Sequence, residues 1–183
     1  MNRAGLLFDY DWDASAHAQL GGSWTFQRAG FDLFSFPSNA RLIRFDLERF
    51  SQAQARRARR QGWNAVVSHH EQFGALAAAL TAQRAGLPGT DPQAVVTCQH
   101  KLLARQLLQR VAPEACPWFE GLDAGYGQDI PAGLRYPAFV KPIKAAFSVL
   151  AREVNSHSEL QAFTRFGRRE LWVAPPPLKD CTS

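Results

Sequence analysis

The sequence has few cysteines and no long apolar run, and both scarcities limit the kind of protein that it encodes. Its three cysteines, Cys98, Cys116 and Cys181, are odd in number and widely spaced among 183 residues. This spacing excludes a disulfide framework and a paired-cysteine metal site. No stretch approaches the roughly 18 apolar residues of a membrane helix, and Asp9 comes too early for a secretory leader. We therefore expect a soluble, unexported, cytoplasmic protein.

The charge is moderately basic, at +5 with a sequence pI near 9.5. Much of the positive charge comes from one cluster of arginines and a later pair. The cluster is Arg56, Arg57, Arg59 and Arg60, and the pair is Arg168 and Arg169. Such a cluster is one feature of nucleic-acid-binding proteins. We interpret the first cluster as the solvated face of a helix, because one turn is not a patch and no aromatic stacking platform accompanies it. Nucleic-acid binding is kept as an alternative.

Strand-like apolar runs alternate with longer amphipathic runs, which is typical of a mostly parallel sheet covered by helices. The predicted strands are residues 4–9, 31–36, 42–45 (a short strand or an extended link), 64–68, 118–120, 138–141 and 149–154. The predicted helices are the start of residues 14–28, then Leu47–Gln61, 71–85, 92–96, 98–111 and a last one to about residue 166, capped by Ser156 or Ser158. The proline-rich tail after residue 170 is predicted to be irregular.

Two lysines have contexts that suit phosphate binding. Lys101 is near the start of an amphipathic helix, and Lys141 closes the apolar run Tyr136-Pro137-Ala138-Phe139-Val140. Pro142 then turns the chain into a loop of small residues, Ile143-Lys144-Ala145-Ala146-Phe147-Ser148. Backbone N–H groups of such a loop can point at phosphate oxygens while the lysine supplies positive charge. The alternative is that Lys141 merely reaches solvent at a strand end.

The order of these pieces resembles an ATP-grasp ligase over about residues 60 to 165. Val66-Val67-Ser68, Glu71, Phe73-Gly74 and the helix to Gly86-Leu87-Pro88-Gly89 resemble the end of the Rossmann-like domain that precedes the grasp. The run 93–105 and Phe139-Val140-Lys141-Pro142 resemble the elements that bring the two nucleotide lysines. Phe147-Ser148 and the strand at 151–154 resemble the phosphate-covering loop and its following strand. The single pieces are weak, whereas their order is fairly specific.

The resemblance implies a fold, a cofactor and site residues. It implies an α/β protein with a Rossmann-like parallel-sheet domain at 1–113, a small α+β N-terminal grasp lobe at 114–170 and an irregular tail at 171–183. Lys101 and Lys141 would contact the ATP phosphates, and the loop residues Lys144, Ala145, Ala146, Phe147 and Ser148 would cover them. Glu71 would lie at a sheet end that faces substrate. The family activates a carboxylate as an acyl-phosphate, which an amine then attacks.

The sequence also departs from the family pattern. His100 stands where many members have an acid, and alanines replace glycines in the phosphate loop. The family's Mg²⁺-holding carboxylates and its transfer arginine cannot be placed in residues 170–183. We therefore expect no catalytic or metal-ligating residue here, a truncated grasp that is inactive alone, and self-association through exposed apolar surface. The alternative is a nucleotide- or partner-binding regulatory module.

Two further patterns have plainer explanations. Asp9 and Asp11 come at the end of a predicted strand, with the spacing of the DxD motif of phosphotransferases that use an aspartyl nucleophile. That motif normally continues with small or hydroxyl residues, whereas Trp12 is bulky, so a charged loop is the preferred interpretation. His69-His70-Glu71 suggests a metal site, yet adjacent histidines point apart and the sequence shows no distant partner. A helix N-terminus with a favourable acid is the preferred interpretation of that segment.

Overall fold

The computed structural model describes residues 2–10, 17–19, 21–34, 37–122, 128–143 and 151–165. The chain packs as two compact units, residues 1–99 and 100–183. The domain bounds inferred from the sequence, 1–113, 114–170 and 171–183, stay predictions.

The first unit is built on a parallel sheet of three strands, β1 (Asn2–Leu7), β2 (Trp24–Ala29) and β3 (Ala65–Val67). The strand order is β2-β1-β3, so β1 is central. Gly5 of β1 is aligned with Gln27 of β2 and with Val66 of β3. This mixed α/β architecture with a parallel sheet confirms the predicted fold class.

Helices α1 (Leu47–Gln61), α2 (Phe73–Ala85) and α3 (Pro92–Gln99) accompany the sheet. Asp46 caps α1 by accepting the backbone N–H of Arg49 at 2.9 Å. Gly62 and Gly86 end α1 and α2 in the left-handed region, with φ of 64° and 73°. Glycine adopts this conformation without a Cβ penalty, which explains why both ends were predictable from the sequence.

An aromatic cluster fills the core of the first unit around Phe8, which is 1% exposed. Its ring lies 5.0 to 5.7 Å, between centroids, from four other rings: Phe31, Phe45, Phe50 and Phe73. Phe8 has a φ of 53°, and its N–H donates to the carbonyl of Ala29 at 2.9 Å. The chain therefore turns at the end of β1 with this ring directed into the core.

The second unit contains α4 (Lys101–Val111), a β-ladder and α5 (His157–Thr164). Strands β4 (Ala138–Val140) and β5 (Arg152–Val154) pair antiparallel. Val154 of β5 packs with Ile130 and Leu160 in a small buried core. Ser156 caps α5 by accepting the N–H of Glu159 at 3.2 Å, as one of the two predicted caps.

Several predicted elements were wrong in the first half of the chain. Residues 31–34 form no strand, and residues 35–36 lie outside the described residues. The second strand is instead Trp24–Ala29, within a segment for which only a helical start was predicted. Residues 42–44 belong to a 3₁₀ helix, Ser38–Arg44, rather than to a strand or extended link. Phe31 and Phe45 pack against the core from outside any strand, so the apolar pattern around them imitated strands.

Two predictions in the second half also need correction. Residues 118–120 are irregular rather than a strand. The break between α3 and α4 falls at His100, three residues later than predicted, because the His100 side chain caps α4. Strand β4 was predicted within one residue of its observed end.

Candidate functional site

Lys101 begins α4 and contacts the segment that follows β4. The Nδ1 atom of His100 accepts the N–H of Leu103 at 3.2 Å and so caps the helix. The backbone N–H of Lys101 donates to the carbonyl oxygen of Ile143 at 3.4 Å, and its Nζ lies 3.5 Å from the same oxygen. Both contacts hold the start of α4 beside Ile143.

Lys141 directly follows β4, so the pairing of β4 with β5 sets the position of this lysine. Ala138 of β4 is aligned with the fully buried Val154, and Val140 with Arg152. The side chain of Lys141 is exposed, and Pro142 after it has no N–H to continue the ladder. The strand end therefore presents an ammonium group to solvent two residues before Ile143.

The positive charge of Lys141 acts on Lys101. Burial lowers the pKa of Lys101, and the positive charge of Lys141 lowers it further. Both effects disfavour the charged form of Lys101. An anion near both groups would offset the repulsion and the lost solvation. The electrostatics of this pair therefore suit a phosphate group.

Only part of the predicted phosphate site falls within the described residues. Lys144, Ala145, Ala146, Phe147 and Ser148 lie outside them. Lys101 contacts Ile143, two residues after Lys141, although the sequence separates the two lysines by a helix and a long connection. Their proposed role in nucleotide binding stays a prediction, as does that of the loop.

Glu71 belongs to the first unit, after β3 and before α2. Its side chain is exposed, and its backbone carbonyl accepts an N–H from the Gln99 side chain at 3.2 Å. Because the carboxyl ends of parallel strands are the usual ligand-binding edge of such a sheet, the position suits a substrate contact. That role is also a prediction.

His70, next to Glu71, lies against two other rings. It stacks on Phe34 with centroids 5.7 Å apart and lies 6.1 Å from Tyr10. Its Nδ1 accepts the N–H of Gly74 at 3.4 Å. Burial lowers the pKa of His70, and this outweighs the opposing effect of the Glu71 charge. The neutral imidazole is therefore favoured, as its acceptor role requires.

His69 has a partner that sequence reasoning missed. The Nε2 atoms of His17 and His69 lie 2.9 Å apart, and the ring centroids 5.0 Å apart. These histidines are 52 positions apart. No local spacing could reveal the pair, because it depends on how the chain returns between β1 and β2. The sequence places His69 just after a predicted strand, but no local signal marks His17 as its partner.

The acid that follows β1 is used in an ion pair. Asp9 Oδ2 lies 3.0 Å from Nε of Arg28, and the Asp9 side chain is 13% exposed. Asp11 is outside the described residues. The ion pair gives Asp9 a structural partner and supports the charged-loop interpretation over an aspartyl nucleophile.

Two arginines of the basic cluster have intramolecular contacts. Arg57 donates to the carbonyl of Arg28 at 3.2 Å and its guanidinium lies 5.4 Å from the Trp63 ring centroid. Arg59 donates to the carbonyl of Arg84 at 2.5 Å. These two side chains therefore hold α1 to its neighbours.

Within the described ranges, no three histidine, cysteine or acidic side chains are grouped so as to hold a metal ion. None of the helices in the same ranges is long and apolar enough to span a membrane.

No family model and no curated protein matches the chain. Among solved structures, an L-amino acid ligase from Bacillus licheniformis is similar, with a TM-score of 0.65 and 17% sequence identity. The similarity covers 90% of this chain and 42% of the ligase, so the chain spans less than half of the ligase's length. At this identity the likeness shows a shared fold, which agrees with the ATP-grasp-like fold expected from the sequence.

Proposed function

We propose that this chain is the nucleotide-binding part of an ATP-dependent carboxylate–amine ligase and that Lys101 and Lys141 bind the ATP phosphates. The carrying observation is the position of Lys101, which contacts the carbonyl oxygen of Ile143 two residues after Lys141. The positive charge of Lys141 also lowers the pKa of Lys101. The fold shared with an L-amino acid ligase supports the same assignment. Amino acids are accordingly the proposed source of the carboxylate and the amine.

Each lysine has a defined part in this proposal. Lys101 is fixed at the start of α4 by the carbonyl of Ile143, so its ammonium is positioned before a ligand arrives. Lys141 adds a second positive charge from the end of β4. Hydrogen bonds between ammonium groups and phosphate oxygens are charge-assisted and stronger than neutral ones. The pair would bind and orient the triphosphate.

Bound ATP would supply the phosphoryl group that activates a carboxylate for attack by an amine. The described residues offer no grouped carboxylates that fit Mg²⁺. We propose that a polypeptide of these 183 residues binds ATP without steady ligation. The alternative hypothesis, a regulatory nucleotide-binding module, relies on the same two lysines. It differs from the ligase hypothesis in one respect: a longer protein that contains this chain would bind ATP without catalysing ligation.

Equilibrium titration of ATP into the 183-residue chain tests the binding proposal. Lys101→Ala and Lys141→Ala should each weaken ATP binding by about tenfold, the loss expected for one charge-assisted hydrogen bond. Arg110→Ala is the matched control, because Arg110 is an exposed cation in the last turn of the same helix α4. Equal effects of all three variants would contradict a specific lysine site.

A second assay addresses ligation. ADP release is measured with ATP, Mg²⁺ and a mixture of amino acids. We expect no sustained release from the 183-residue polypeptide. Steady, amino-acid-dependent release would show that the polypeptide is an active ligase and would contradict the inactive assignment while leaving ATP binding intact.

A further inference from the structure

Two histidine rings meet in the first unit, near the carboxyl end of β3. His69 follows β3 by two residues, and His17 approaches it from the connection between β1 and β2. Their Nε2 atoms lie 2.9 Å apart, with the ring planes inclined by 41°. The two nitrogens that face each other are the atoms through which imidazole commonly binds metals.

We propose that His17 and His69 form a two-histidine site for a divalent transition-metal ion, with a preference for Cu²⁺ or Ni²⁺. For metal–nitrogen bonds of about 2.05 Å, ligands at a right angle lie about 2.9 Å apart, whereas tetrahedral ligands lie about 3.3 Å apart. Right-angled nitrogen ligands are typical of square-planar and tetragonal Cu²⁺ and Ni²⁺. The separation of the two nitrogens matches that of right-angled ligands, whereas the ring centroids, 5.0 Å apart, lie nearly in line with the nitrogens, so both rings must tilt before their lone pairs meet at one ion.

The packing around the pair partly buries one ring and leaves the other accessible. The His17 ring lies 4.7 Å from that of Phe26, between centroids, and its residue is half-buried. Within the described part of the chain, Nδ1 of His17 is buried without a hydrogen-bond partner, so its polar contact is made through Nε2. His69 is exposed, which gives an ion a path from solvent.

The proposed ion differs in chemistry from the Mg²⁺ of a nucleotide site. Mg²⁺ prefers oxygen ligands and octahedral geometry, whereas imidazole suits Cu²⁺, Ni²⁺ and Zn²⁺. No third protein ligand accompanies the pair among the described residues. Water would complete the coordination, so this inference stands independently of ATP binding.

Tag-free chain is titrated with CuCl₂ or NiCl₂ by calorimetry, and the Cu²⁺ form is examined by electron paramagnetic resonance. We expect one ion per chain, with nitrogen couplings from two imidazoles. His17→Ala and His69→Ala should each weaken binding by about tenfold or more. His157→Ala is the matched control, because this exposed histidine belongs to the second unit, where its Nε2 lies 3.2 Å from the carbonyl oxygen of Ile130.

The competing explanation of the 2.9 Å contact is a hydrogen bond between the two rings, which predicts no specific affinity for Cu²⁺ or Ni²⁺. Wild-type chain without saturable binding, a spectrum with one nitrogen, or equal affinity in all three variants would overturn the site. Circular dichroism checks that each variant is folded. Thermal unfolding provides a readout that does not depend on whether His17→Ala folds. The metal should raise the thermal midpoint of the wild type and should not raise that of His69→Ala.

Discussion

The guanidinium of Arg84 donates to both carboxylate oxygens of Glu48, with Nη2–Oε distances of 2.6 and 2.5 Å. The pair joins α2 to α1, and Arg84 also donates to Ser51 Oγ. The hydrogen bond from Arg84 is the largest of the effects that lower the pKa of Glu48 below 4.5. The charged carboxylate therefore stabilises the folded first unit.

Because the pKa of Glu48 is lower in the folded chain, its contribution to stability is complete above pH 4.5 and is lost as the pH falls through the lowered value. Wild-type chain should lose thermal stability more steeply on acidification than Glu48→Gln. Thermal unfolding followed by circular dichroism from about pH 6 to about pH 3 measures this difference. Glu114→Gln, at an exposed position, is the control and should follow the wild type. Parallel curves for wild type and Glu48→Gln would contradict the role of this pair.

Gly5 in the central strand leaves no room for a methyl group. A Cβ there would overlap Cζ3, Cε3 and Cη2 of Trp63. The indole cannot easily move away, because it is 4% exposed and its Nε1 donates to Gln27 at 2.6 Å. Gly5→Ala should destabilise the first unit by about 3 kcal/mol or more in chemical denaturation. Gly22→Ala, with open space at its Cβ, should change stability by less than about 0.5 kcal/mol.

Asp46 stabilises α1 as its N-cap. Oδ1 accepts the N–H of Arg49 at 2.9 Å, and Oδ2 lies 3.2 Å from Nε of the same residue. Asp46→Ala should lower the free energy of unfolding by about 1 kcal/mol, whereas Asp46→Asn keeps a capping oxygen and should lose much less. Urea denaturation of the two variants measures the difference. Similar losses in both would show that the ion pair, rather than the cap, carries the contribution.

The fold was most predictable where local chemistry decides an element's end. Gly62 and Gly86 adopt positive φ, so the ends of α1 and α2 were visible in the sequence. Strand β2 was missed because Gly21 and Gly22 precede it and its alternation is short. Phe31 suggested a strand, but its ring packs edge-on against Phe8 from irregular backbone. An apolar side chain alone does not reveal the backbone that delivers it to the core.

The two candidate sites differ in how much of each could be predicted from the sequence. Lys101 and Lys141 stand next to recognisable elements, a helix start and a strand end, so their order suggested a shared ligand. His17 and His69 have no such context. Their meeting depends on the return of the chain between parallel strands, and that geometry has no local pattern.

The Lys101–Lys141 interaction predicts a change in one pKa. Lys141→Ala removes a positive charge near Lys101 and should raise the pKa of Lys101 towards 10.5, although burial continues to lower it. Titration of the Lys101 ¹³Cε resonance by nuclear magnetic resonance measures the shift. Lys141→Arg keeps the charge and should leave the pKa of Lys101 nearly unchanged. An unaltered titration in Lys141→Ala would place the two ammonium groups too far apart to share a phosphate.

Comparison of ATP with adenosine tests the central claim that these two lysines bind a triphosphate. Affinities for both ligands are measured by calorimetry for wild-type chain, Lys101→Ala, Lys141→Ala and the double variant. We expect wild type to bind ATP more tightly than adenosine, each variant to lose ATP affinity, and adenosine affinity to stay unchanged throughout. If the double variant binds ATP as tightly as the wild type, or if wild type does not distinguish ATP from adenosine, Lys101 and Lys141 do not form a phosphate site.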